Sequence, residues 1–168
     1  MARFNGIAES ATALTTGFTS NSSTIGGLFL VLRLNAASSF KIRRLTFGVR
    51  AGVGAPTSQQ MSIACLRTTN AGAGATAQVL NQLDPNSFAT NVRADVTAWT
   101  TTPTSLVTVN QAAYLFEVSF NTQSGVDLPW ELLEELYTSG SGNGIAFFNN
   151  GNALPTSHLY TASFEIEE

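Results

Sequence analysis

A two-residue period recurring in short runs constrains this chain more than any other feature. It is cleanest over Ala113 to Asn121, where Tyr114, Phe116, Val118 and Phe120 alternate with Leu115, Glu117 and Ser119. Side chains on a strand point alternately to opposite faces, so one face of this run is core and the other more polar. His158 to Ile166 repeats the pattern, with His158, Tyr160, Ala162, Phe164 and Ile166 set against Leu159, Thr161, Ser163 and Glu165. Leu28 to Leu34 is apolar nearly throughout, which suits a central strand covered on both faces. Phe40 to Arg50 changes parity midway: Phe40 and Ile42 are even, Leu45, Phe47 and Val49 odd. A β-bulge near Arg43 and Arg44 restores a single inward face and is expected there. Met61 to Arg67 is a further strand. Ala75 to Leu80, Ser105 to Val109 and Gly144 to Phe148 are weaker ones. Arg3 to Leu14 reads equally as a first strand or an extended arm.

Turn residues punctuate these runs at Thr69 to Gly74, Asp84-Pro85-Asn86, Asn143-Gly144 and Asn150-Gly151-Asn152. About eight or nine strands at this spacing predict an all-β fold, a sandwich or jelly roll. A chain of 168 residues suits one such domain, 1–168, with 1–14 as a possible N-terminal arm. One short helix is expected near 128–137. Asp127 caps its start and Pro129 sits in its first turn. Trp130, Leu133 and Tyr137 form its apolar stripe, and Glu131, Glu134 and Glu135 its outer side.

Only 11% of residues are charged, against about 25% in ordinary globular domains. Interface cores are depleted of charge, so a surface covered by neighbouring subunits accounts for this. A solvated surface of hydroxyls and amides accounts for it too. The net charge is −3, and no basic tail is present. Nucleic-acid binding needs a basic footprint, so none is expected. The N-terminus lacks the pattern of a signal peptide, and the longest apolar run, Gly26 to Leu32, is far too short to span a bilayer. Synthesis in a cytoplasm and no membrane insertion are the expectations.

Candidate chemistry is sparse. His158 is the single histidine and Cys65 the single cysteine. A catalytic triad needs a histidine base, and a metal site needs several ligands. His158 lies on the apolar parity of its strand and reads as a core or interface residue. Glu117, mid-strand between aromatics, is the most interesting carboxylate, and its simplest reading is a solvated residue on the polar face. Glu165, Glu167 and Glu168 read as a soluble chain end. The Gly-rich Thr69 to Gly74 stretch lacks the Gly-Lys-Ser/Thr ending of a phosphate loop and reads as a hairpin tip. No enzyme, cofactor or metal is expected. Trp99 and Trp130 are the candidate exposed aromatics for stacking on sugar rings, although Trp130 reads more simply as a plug onto the sandwich.

Several segments in order carry a resemblance. They are Phe40 to Gly48 with Lys-Ile-Arg-Arg-Leu-Thr-Phe-Gly, Gln60 to Thr69, the tip Asn-Ala-Gly-Ala-Gly-Ala-Thr, Leu80 to Ala89, and the last strand ending Ala-Ser-Phe-Glu-Ile-Glu-Glu. Together they resemble the capsid decoration (cement) and minor head proteins of tailed bacteriophages. The helix near 128–137 departs from that pattern. The resemblance implies a jelly-roll-like subunit, often a homotrimer, that sits on the capsid surface of the virion and binds the major capsid protein. On that view Arg3 and Phe4 are candidate anchors of an arm lying on the capsid. The alternatives are another virion component, such as a head-fibre base or tail-associated protein, and a carbohydrate-binding module.

Overall fold

The computed structural model describes residues 2–10, 27–51, 57–69, 75–84, 89–96, 114–131, 135–155 and 158–168. The described elements are strands: β1 (Arg3–Glu9), β2 (Leu28–Leu34), β3 (Ser39–Ala51), β4 (Gln60–Thr68), β5 (Thr76–Gln78), β6 (Leu80–Gln82), β7 (Val92–Val96), β8 (Phe116–Asn121), β9 (Val126–Pro129), β10 (Leu136–Ser139), β11 (Gly144–Asn149) and β12 (His158–Glu167). They form two antiparallel sheets packed as a sandwich. Sheet A runs β10-β3-β12-β1-β6, with β9 also on β3, and sheet B runs β5-β7-β2-β11-β4-β8. Among the described residues no helix is long and apolar enough to cross a membrane.

Alternation builds the core between the sheets. Phe4 and Ala8 of β1, Phe40, Ile42, Leu45 and Phe47 of β3, and Tyr160, Ala162, Phe164 and Ile166 of β12 point inward from sheet A. Phe29, Leu30, Leu32, Ile63, Cys65, Val92, Ala94, Ile145 and Phe147 meet them from sheet B. The rings interlock across the gap: Phe29 lies 5.6 Å from Tyr160, and Phe47 lies 5.6 Å edge-on from Phe147. Each such fully buried side chain contributes roughly 1.5–3 kcal/mol. Gly6 has a packing role, because a Cβ there would lie 2.4 Å from the Phe164 ring.

The parity change in β3 is a bulge, as its sequence requires. Glu165 pairs with Arg44, and Ile166 with Ile42, so Arg43 is the extra residue. Phe40, Ile42, Leu45 and Phe47 are all buried in consequence. Leu28 to Leu34 is covered on both faces, as expected for a central strand.

The expected helix is a correction. Residues 126–129 and 136–139 are the strands β9 and β10, both antiparallel to β3 and lying end to end along one edge of it. Trp130 donates its N–H to the Arg43 carbonyl, and Leu136 pairs with Ile42. The physical reason lies in Asp127. Its carboxylate takes hydrogen bonds from Arg44 and Thr46 of the neighbouring strand instead of capping a helix. Pro129, lacking an N–H, is tolerated at the end of an edge strand as readily as in a helical first turn. The buried Glu135 side chain pairs with Arg43 at 2.5 Å.

Residues 75–80 divide into β5 in sheet B and β6 in sheet A, with Val79 at the crossing between sheets. The expected strand at 105–109 lies outside the described residues. So do residues 11–14 of the expected arm.

Candidate functional site

The outer face of sheet A carries the most developed surface feature. Its register is fixed by three ladders. Ile7 pairs with Ser163, Ser163 with Thr46, and Thr46 with Asp127, which makes one row across four strands. The next row is Glu9, Thr161 and Gly48. The middle of the face thus holds Thr46, Gly48, Thr161 and Ser163, all small, while taller groups stand around them. The result is an open depression of about 550 Å³. A second, of about 300 Å³, adjoins it on the far side of Ile7, beside Asn5, Arg44 and Glu165.

The walls differ in chemistry. Ile7 is 70% exposed and gives an aliphatic wall. Opposite stands the turn after β8, in which Gly125 has φ 68° and a Cβ would lie 2.7 Å from the Phe47 carbonyl oxygen. Ion pairs occupy the ends and sides. Arg44 is bonded to Asp127 through both Nε and Nη2. The hydrogen bonds that Arg44 donates to Asp127, and the negative charge of that carboxylate, raise the Arg44 pKa. The same contact from Arg44, aided by Thr46, holds the Asp127 carboxyl below its ordinary value. Arg50 pairs with Glu9 at 2.6 Å. The rim is therefore charged but neutral pair by pair.

The outer face of sheet B is a different surface. Leu28, Val31, Ala64, Leu66, Ala146 and Phe148 form a second buried apolar cluster there. On one side of it Asp95, with a side chain 1% exposed, bridges Arg33 and Arg93. On the other, Glu117 accepts hydrogen bonds from Ser62 at 2.6 Å and Asn150 at 2.9 Å. Glu117 is exposed, as its polar parity implies, but it is held by these neighbours.

The residues singled out in the sequence fall as follows. Phe4 is 3% exposed and belongs to the core, so it cannot anchor an arm on another surface. Arg3 lies on β1 between β12 and β6, and pairs with Asp84 and Glu165. The first-strand reading of residues 3–9 is the one that holds, because alternate residues of this segment fill the core. Trp130 is half-buried, with its ring 5.9 Å from Phe116, and is a plug rather than an open platform. Trp99 lies outside the described residues. His158 is buried and accepts the Thr57 N–H at Nε2. Burial pushes the Cys65 thiol well above its usual range, against a smaller pull from Arg67. Among the described residues no three His, Cys, Asp or Glu side chains gather as metal ligands.

The C-terminal acids are also a correction. Glu165 pairs with Arg3, and Glu167 with Arg43. Glu168 accepts bonds from Ser38, Thr90 and both nitrogens of Asn91. They clasp the chain end to strands and loops distant in sequence, and that long-range pairing is why they read locally as a solvated end. The depression itself was not singled out in the sequence either. The alternation of small hydroxyl residues on β12 was visible, but its alignment with Thr46 and Gly48 depends on the bulged register. No protein-family model, curated protein or solved structure matches this chain.

Proposed function

We propose that this chain is a structural virion subunit, a decoration or cement protein on the outside of an icosahedral phage head. The observation that carries the reading is the path of the chain. Leaving aside β5 to β7, the strands visit the sheets in the order A, B, A, B, B, A, B, A, counting β9 and β10 as one interrupted edge. Within the sheets they lie as β1-β12-β3-β10 and β2-β11-β4-β8. We read this as the double Greek key of a jelly roll, an architecture used by viral capsid subunits and lectin domains. It agrees with the fold that the phage-protein resemblance implies. On this reading β5, β6 and β7 are an insertion that extends both sheets on one side.

The charge distribution supports the same reading. Seven of the eight Lys and Arg side chains lie within 4.0 Å of a carboxylate. The eighth, Arg67, donates to the Tyr137 carbonyl. Cations committed to internal partners suit a protein whose contacts are with other proteins rather than with phosphates. The role is mechanical. A homotrimer binding across junctions between copies of the major capsid protein buries apolar area, and repetition over the shell multiplies the effect.

The test is co-sedimentation with empty heads assembled from a phage major capsid protein, together with solution mass by light scattering. Saturable binding and a mass three times the 17.7 kDa chain are expected. Heads that pellet without the protein would overturn the proposal.

A further inference from the structure

We propose that the depression on the outer face of sheet A binds an uncharged saccharide chain. The inference is independent of the virion reading. Its floor is Thr46, Gly48, Thr161 and Ser163. β12 lies between β3 and β1, and β3 between β12 and β9, so an extended peptide finds no free strand edge there. Recognition falls to side chains. The Thr161 and Ser163 hydroxyls have no hydrogen-bond partner among the described residues. A hydroxyl both donates and accepts, which matches a sugar hydroxyl in either role.

Charge and polarity narrow the ligand further. Arg44 is already bonded to Asp127, and Arg50 to Glu9, so a charged ligand has to compete with an existing pair. An apolar knob from a protein partner would bury the floor hydroxyls without partners, which is costly. A neutral sugar avoids both penalties. Its ring hydroxyls meet the floor and its C–H face meets the aliphatic wall at Ile7, which is 70% exposed. Phe47 and Phe164 are buried in the core, so neither ring is a stacking platform. Affinity per site is therefore weak, on the order of 1 mM. Display of many copies would raise it by avidity.

The experiment is a titration of the ¹⁵N-labelled full chain, followed in amide spectra, with maltohexaose, cellohexaose and N-acetylated chitohexaose. Sialyllactose serves as a charged comparison. The expected result is saturable shifts at Ile7, Thr46, Gly48, Thr161 and Ser163 with at least one neutral sugar. The double variant Thr161→Val, Ser163→Ala should keep the native spectrum and bind about tenfold more weakly. Gly48→Val, which fills the floor, should abolish the shifts. Three results would overturn the proposal: no shift with any neutral sugar, a response to sialyllactose alone, or shifts that map to Trp130 instead. Broadening of the same amides with protein concentration in the absence of sugar would assign the face to a second copy. None of these outcomes bears on head binding, so the two proposals fail separately.

Discussion

On the outer face of sheet B the central positions are Val31, Ala64, Ala146 and Phe148, each no more than 1% exposed. On the outer face of sheet A they are Thr46, Gly48, Thr161 and Ser163, and the aliphatic wall beside them is largely exposed. Both faces belong to one sandwich and share one inner core. The contrast extends to charge. Asp95 on sheet B holds two guanidinium groups with a fully buried carboxylate, whereas Asp127 on sheet A holds Arg44 in open solvent. An interior on the far side of a sheet makes that sheet a load-carrying layer. A wet, small-residue face leaves its sheet free to meet something else. Sheet B is therefore buried on both faces at its centre, whereas the central outer positions of sheet A are small and polar.

The largest expected effect comes from Phe148→Ala. It removes a buried ring that packs 5.5 Å from Tyr114 and should destabilise by about 3–5 kcal/mol in urea unfolding. A loss under about 1 kcal/mol would mean that this face is not interior. Asp95→Asn comes next. It leaves Arg33 and Arg93 sharing a neutral amide, and a cost of about 3 kcal/mol is expected. Asp127→Asn, the matching change on sheet A, should leave the unfolding midpoint almost unmoved, since exposed pairs are weak and screened. If the two aspartates proved equally costly, the contrast in burial would be wrong.

A smaller effect is tied to pH. Burial acts to raise the Glu168 pKa, but the hydrogen bonds from Ser38, Asn91 and Thr90 outweigh it and hold the carboxyl below its ordinary value. A group depressed in the folded state adds stability above its unfolded pKa, about 4.3 for glutamate. That stability is lost as pH falls through the folded value. Glu168→Gln should therefore be less stable than wild type at neutral pH, with the difference closing in acid. A difference that persists unchanged at low pH would assign the loss to packing. The smallest expected effect is that of Ser163→Ala, within about 0.5 kcal/mol.

Much of this fold is legible in the chain. The period of two gives β12 and, from Phe116 onward, β8, although Tyr114 turns to the outer cluster beside Phe148 instead of joining the inner face; the unbroken apolar run gives the doubly covered β2. The switch from Ile42 to Leu45 gives the bulge at Arg43, because a register error there would turn half a strand to solvent. The failures share one cause. Asp127, Glu135 and Glu168 find their partners in strands and loops far along the chain, at Arg44, Arg43, Ser38 and Asn91. Read locally, the same residues suggest a helix cap, a helix face and a soluble end. β7 is hard to read from the sequence although Val92, Ala94 and Val96 alternate cleanly. Its intervening Arg93 and Asp95 look like solvent-facing polar residues until Arg33 is brought beside them. The depression on sheet A depends on the alignment of β1, β12 and β3, which no single segment encodes.

The contrast between the faces is tested most directly by thiol labelling of Ser163→Cys and Ala146→Cys in the native protein. The native Cys65, buried on the inner side, serves as an unreactive reference. The account predicts that Cys at 163 labels at the rate of a free thiol, while Cys at 146 labels only when the protein unfolds. Equal rates at the two positions would contradict it, because the outer face of sheet B would then be as open as that of sheet A.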